Sequence, residues 1–269
     1  GEVQVRTVAV DASLRMEAGA LSEKMRIDRE TGLTPWLIAA TAGTTDTGAV
    51  DPLDAIADLA RDFGAWLHVD AAYGGAFALS NEGRRRLAGL ERSDSLIMDP
   101  HKGFFLPAGV GVLLVRDGQK LFDAYHSRGT YMQDVAENPA RSPCDYSAEL
   151  TRPFRGLRFW LPFKLHGSAP FAAALEEKLL LARYFYEEVT KIPGIEVGPA
   201  PDLSIVPFWF CPDGIEPDDA GKALLTAIRE ESRIHMTSTL VDGRFTLRMA
   251  ILTYNTHIDR SEEHTSELQ

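Results

Sequence analysis

Cysteine is scarce in this chain: Cys144 and Cys211 are the two among 269 residues. They lie far apart and in no metal-ligand spacing. Neither a disulfide framework nor a cysteine-based metal site is indicated, and a reducing compartment, the cytoplasm, is the expectation. Long hydrophobic runs are missing too; none reaches the length that crosses a bilayer as a helix. Positive charge is in deficit, with 28 Lys and Arg against 39 Asp and Glu and a net charge of −11. That balance argues against nucleic acid or an anionic membrane surface as a partner. It leaves room for a small phosphate-bearing ligand, because backbone amides and one or two cations suffice to hold phosphate. An initiating methionine is absent as well: the chain starts at Gly1, and a strand is expected from Val5 to Val10. The lack of a leader peptide therefore carries no information. What is present is an ordinary globular composition, 45% hydrophobic, long enough to bury a large core.

Two stretches share one form. Ser95-Leu96-Ile97-Met98 is an apolar run ending in Asp99-Pro100-His101-Lys102, and Trp66-Leu67-His68-Val69 ends in Asp70-Ala71-Ala72-Tyr73-Gly74-Gly75. Each reads as a buried strand followed by a turn. Open α/β sheets bind ligands at the carboxyl edge of their strands, and here two strands deliver an acid and an amine to what can be one edge. That pair suits pyridoxal phosphate. Its aldehyde needs an amine, Lys102, and its pyridine nitrogen needs a carboxylate, Asp70, to stay protonated and accept electrons. The lysine must be partly desolvated, because only the neutral amine attacks a carbonyl. His101 can stack, donate to phosphate or shuttle a proton. Taken singly, Asp70 reads more simply as a helix cap and Lys102 as a surface lysine; it is the pair that points to the cofactor.

Together with Thr41-Ala42-Gly43-Thr44-Thr45 upstream, these blocks resemble the pyridoxal-phosphate-dependent group II amino acid decarboxylases. That family includes the aromatic L-amino acid, tyrosine, histidine and glutamate decarboxylases. The resemblance runs from near residue 5 to near residue 258. It implies an α/β, type I pyridoxal-phosphate transferase fold of the aspartate aminotransferase kind. Residues 1–166 would be part of the cofactor-binding large domain, with a mostly parallel sheet, and 167–259 a small α+β domain. It also implies a homodimer and an amino acid substrate. Lys102 would carry the cofactor, Asp70 the ring nitrogen, Ala72 would let the ring lie against its strand, and Thr45 and His101 would sit beside the cofactor. Asp99 stands where many relatives have asparagine; a carboxylate beside the phosphate would repel it unless it points away. Tyr131 matches a loop tyrosine that protonates the carbanion left by carbon dioxide, and relatives with phenylalanine there tend toward aldehyde formation. Arg152 matches an arginine-rich turn and would face the substrate from the pocket rim. An aminotransferase, an aldehyde synthase and a non-catalytic interaction protein on a decayed fold are the competing readings. Phe104 and Phe105 fit an aromatic-accepting pocket or the core equally well.

The remaining pattern alternates strand and helix. Helices are expected over Met16 to Arg29, from Asp51 as N-cap with Pro52 at the first position, over Asn81 to Arg92, Gln119 to Tyr125, Gly156 to His166, Ala169 to Thr190 and from Pro217. Strands are expected over Trp36 to Thr41, Val110 to Arg116, Ile195 to Val197 and Leu203 to Phe210. A hairpin is expected across Asp242-Gly243. The alternation indicates a parallel sheet covered on both faces. Arg84-Arg85-Arg86 reads as a solvated helix face in so acidic a chain. His126 to Leu150 lacks periodicity and reads as a lid. Arg260 to Gln269 has none either and resembles the translation of a sequencing-adapter oligonucleotide. The expectation there is a non-native tail on a fragment truncated at both ends.

Overall fold

Alternate apolar residues set the first sheet. Its strands are β1 (Leu37–Thr41), β2 (Trp66–Asp70), β3 (Ser95–Met98) and β4 (Val112–Val115), in the order β1-β2-β3-β4. The structure is a computed structural model, and it describes residues 3–126, 142–231 and 234–258. β1, β2 and β3 run parallel, and β4 returns antiparallel to β3. Thr41, Asp70 and Ile97 share one row of the register, so the strand ends that carry the site come out side by side.

The helices, in chain order, are α1 (Ala18–Glu30), α2 (Leu53–Phe63), α3 (Asn81–Arg86), α4 (Gly118–Tyr125), α5 (Gly156–His166), α6 (Ala169–Val189) and α7 (Pro217–Glu231). α2 lays Leu53, Ile56, Ala57 and Ala60 against the sheet and stops at Gly64, whose φ of 65° is the left-handed value a helix C-cap requires. Ile38, Ala40, Leu67 and Val69 are the sheet residues in that core. Leu21 and Met25 of α1 join them, as their helical spacing predicts.

The second sheet is antiparallel throughout: β5 (Ile195–Val197), β6 (Ile205–Phe210), β7 (Thr237–Val241) and β8 (Arg244–Ala250), ordered β5-β6-β8-β7. β7 and β8 form the expected hairpin; Asp242 and Gly243 both take positive φ, 51° and 78°, as a two-residue turn of this twist needs. Leu225 and Ile228 of α7 complete its core. α6 serves both cores, placing Leu175 and Leu179 in the first and Leu181, Ala182, Phe185 and Val189 in the second.

Four expectations are corrected. Val5 to Val10 forms no strand: Val5 is 84% exposed, and the stretch pairs only through a bridge from Val10 to Met16. An alternating pattern becomes a strand only where a neighbour supplies ladder partners. Over β1 to β3 the first sheet is covered on one face. The other face, which carries His68 and Asp70, leaves Leu37 43% and Leu113 47% exposed. Asp51 does not cap α2, whose N-cap is Pro52. Its carboxylate instead accepts from the N–H of Met16 (2.7 Å) and of Thr41 (2.7 Å), tying α1's approach to β1. Burial raises this carboxyl above the usual range, against the pull of those two bonds. Finally, Asn81 to Arg92 breaks after Arg86 and resumes as a short 3-10 turn at Leu90–Arg92. Arg86 there bonds Glu82 and the carbonyls of Pro201 and Asp202 (both 2.7 Å), so part of the basic triplet is internal structure.

The two sheets are joined by polar contacts, the first of them buried. Tyr73 Oη and Ser204 Oγ lie 2.7 Å apart. Asp202 accepts from Arg15 (2.8 Å) and from the Val50 N–H (3.0 Å). Tyr73→Phe and Ser204→Ala should each cost about 1–3 kcal/mol by stranding one buried hydroxyl, and the double variant less than the sum. Denaturant unfolding measures this. Burial pushes the Tyr73 phenol up to about 12. The neutral form is the favoured one, so its contribution is complete below the ordinary value of 10.0 and is lost as pH rises through about 12. The stability gap between wild type and Tyr73→Phe should narrow over that interval.

Candidate functional site

β2 ends at Asp70, which is exposed on the open face of the sheet. Its Oδ1 accepts from the Ala72 N–H at 3.0 Å, a local turn that fixes the carboxylate's direction. His68, two residues earlier and on the same face, joins the hydroxyl of Ser95 through Nδ1 (2.8 Å), and Trp66 Nε1 donates to that hydroxyl (2.8 Å). The sequence reading passed over this polar row. Its signal was the two-residue spacing from His68 to Asp70.

The chain then packs tightly. The Gly74 N–H donates to the Ala42 carbonyl (3.0 Å). A Cβ on Gly74 would stand 2.1 Å from that oxygen, so only glycine allows the approach. The next strand is drawn in by the same loop. The Ala71 N–H donates to the Ile97 carbonyl (3.1 Å), and the Asp99 N–H to the Ala72 carbonyl (3.2 Å). Downstream of Lys102, a Cβ on Gly103 would lie 2.5 Å from the Ala76 Cβ. The three sequence blocks are thus neighbours in space, sewn together by backbone contacts at the carboxyl edge of β1, β2 and β3.

Lys102 sits in a turn whose N–H donates to the Asp99 carbonyl (2.9 Å). Its Nζ lies 3.0 Å from Asp99 Oδ2, and His101 Nε2 lies 4.0 Å from the same oxygen. Lys102, Asp99 and His101 are each about one-third exposed. Asp99 is therefore turned toward the ammonium. Ala72 is half-buried between the two strand ends.

Other expected residues stand apart. Thr45 is exposed in the turn after β1, and the internal bonds of that turn are made by Thr44, whose Oγ1 meets Thr47 Oγ1 (2.8 Å) and accepts from the Ala49 N–H (3.2 Å). Arg152 is exposed and donates to the Pro143 carbonyl (3.3 Å), while Arg155 pairs with Glu149 (2.8 Å). Phe104 is core: it is buried edge-on against Phe159 (5.2 Å) and Phe163 (5.7 Å) of α5. Tyr131, much of the expected lid and the expected tail at 260–269 lie outside the described residues. Among the described residues no helix is long and apolar enough to cross a membrane.

Residues 1–211 match the family model described as the pyridoxal-dependent decarboxylase conserved domain. The chain belongs to the pyridoxal-dependent decarboxylase family. It is 33% identical over 260 residues to the aromatic-L-amino-acid decarboxylase of Bacillus atrophaeus, covering 94% of this chain and 54% of that protein. It is 37% identical over 220 residues to the cysteine sulfinic acid decarboxylase of Rattus norvegicus, covering 80% of this chain and 44% of that one. A crystal structure of Oryza sativa TDC with PLP and tryptamine superposes with a TM-score of 0.89 and 28% identity, over 98% of this chain and 56% of that chain. The chain thus spans about half the length of the curated relatives it matches, and its fold is that of the family's pyridoxal-phosphate enzymes.

Two glycine substitutions separate the packing claim from general sensitivity. Gly74→Ala should destabilise by about 3 kcal/mol or more, since its neighbour is a backbone oxygen. Gly75→Ala should cost less, because its nearest atoms are the Cγ and Sδ of the flexible Met98 side chain. Melting temperatures of the two variants test that order.

Proposed function

We propose that the protein carrying this chain is a pyridoxal-phosphate-dependent carboxy-lyase that converts an L-amino acid, with an aromatic one the first choice, to the amine and carbon dioxide. The observation that supports it most is the placing of Asp70 and Lys102. They leave adjacent parallel strands at one edge, and their loops are hydrogen-bonded to each other. This donor set fits the cofactor: an amine for its aldehyde, a carboxylate for its ring nitrogen, and small side chains between them.

When bound, pyridoxal phosphate supplies a protonated ring that takes up the electron pair of the breaking bond. The chain's own residues do the rest. Asp70 keeps the ring nitrogen's proton by charge and hydrogen bond. Lys102, now paired with Asp99, would hold the aldehyde, and Asp99 would stand beside it as a local base or steering charge. Ala72 leaves room for a flat ring, His101 holds a proton or a phosphate oxygen at the rim, and Thr45 offers a hydroxyl from the β1 turn. Tyr131 returns a proton to the carbon that lost its carboxylate, and Arg152 meets the substrate from the loop that follows. The balance is one proton taken up for each carbon dioxide released. A cytoplasmic homodimer completes the proposal.

The test has two stages. The chain is incubated with pyridoxal phosphate, reduced with borohydride and digested. The reading expects the cofactor's mass on the Lys102 peptide and its loss in Lys102→Ala. Asp70→Asn should weaken retention by about 10- to 100-fold, the worth of one charge-assisted hydrogen bond. Label elsewhere than Lys102 would overturn the site. The full-length protein is then given carboxyl-labelled amino acids. Release of labelled carbon dioxide with one amine per turnover is expected; formation of a keto acid or an aldehyde would replace decarboxylation with transamination or oxidative chemistry.

A further inference from the structure

Among the described residues, one lysine has no contact with solvent. Lys178 lies on the inward stripe of α6 with Leu175, Leu179 and Ala182 and is 0% exposed. A buried ammonium persists only where its three protons find acceptors. Lys178 Nζ has three: Glu177 Oε2 (3.0 Å), the Tyr254 carbonyl (3.2 Å) and the Thr256 carbonyl. His257 Nδ1 bonds the other oxygen of Glu177 (2.8 Å). The irregular segment after β8 is thereby fastened to α6.

That segment carries the Tyr254 ring, which meets the Phe105 ring at 5.5 Å and 65°. Phe105 takes a φ of 58°, a conformation a bulky residue keeps only when its surroundings impose it. It lies three residues beyond Lys102 and closes the same turn: its N–H donates to the Lys102 carbonyl (3.1 Å), and the Leu106 N–H to the Pro100 carbonyl (3.1 Å). From the other side, Leu175 of α6 stands 3.6 Å from where a Cβ on Gly103 would be. α6 therefore touches the turn directly at Gly103 and through Tyr254 at Phe105.

We propose that Lys178 is a positioning residue for Lys102, holding Tyr254 against Phe105 so that the strained turn keeps the reactive amine in one direction. The inference rests on the reading of Lys102 as the cofactor lysine, but its test uses no cofactor. Amide hydrogen exchange is compared in wild type, Lys178→Met, Tyr254→Ala and, as a control for general loss of stability, Leu225→Ala in the second core. Lys178→Met should speed exchange at 254–257 and, by about tenfold or more, at Phe105 and Leu106. Tyr254→Ala removes an exposed ring and leaves the buried ammonium in place, so it should fold and loosen the 100–106 turn alone. Native-state tryptic cleavage after Lys102 should quicken in both. Leu225→Ala should leave that turn unchanged. Unaltered exchange at Phe105 and Leu106 in Tyr254→Ala, or equal loosening in the control, overturns the proposal. Absence of cofactor on Lys102 in the borohydride experiment would instead overturn the functional reading.

Discussion

The close approach of Gly74 to Ala42 holds the rest of the site together. A carbonyl of the β1 loop and an amide of the β2 loop meet with no side chain between them. That contact brings the Thr41–Thr45 block against Tyr73, and Tyr73 in turn reaches Ser204 at the head of β6. The Ala72 carbonyl, one residue before Tyr73, takes the Asp99 amide, so the lysine turn is aligned by the same loop. Acid, amine and hydroxyl turn are therefore placed by backbone contacts, which have few alternative geometries. A site built on side-chain contacts alone would be looser, and catalytic groups lose effect when misplaced by an ångström.

In the lysine–aspartate pair, Asp99 faces the amine of its own turn. Its carboxylate is occupied by Lys102 at 3.0 Å. An exposed pair of this kind contributes little stability, so its interest lies in what it does to the amine. It keeps the ammonium at the sheet edge.

Much of this was legible in the sequence because it depends on local chemistry. The strand–acid and strand–lysine runs, the Gly64 cap, the Asp242-Gly243 hairpin and the apolar stripes of α2 and α6 all rest on periodicity or on backbone preferences within a few residues. What was not legible depends on partners distant in sequence. Val5 to Val10 has a strand's alternation but no ladder. Asp51 has a cap's position but is claimed by Met16 and Thr41. Phe104 is adjacent to the lysine block yet is claimed by Phe159 and Phe163 of α5. Lys178 went unread, because its acceptors at Tyr254 and Thr256 lie more than seventy residues away.

The geometry also bears on how substrates are told apart. The same stretch aligns with relatives named for an aromatic substrate and for cysteine sulfinic acid. Side chains so different in charge and shape cannot share one pocket wall. The backbone-packed blocks at the ends of β1, β2 and β3 present Asp70, Lys102 and small residues between them. Phe104, next to the lysine turn, is turned into the core and does not line an open pocket there. Discrimination between such side chains would then fall to residues beyond these backbone-packed strand ends.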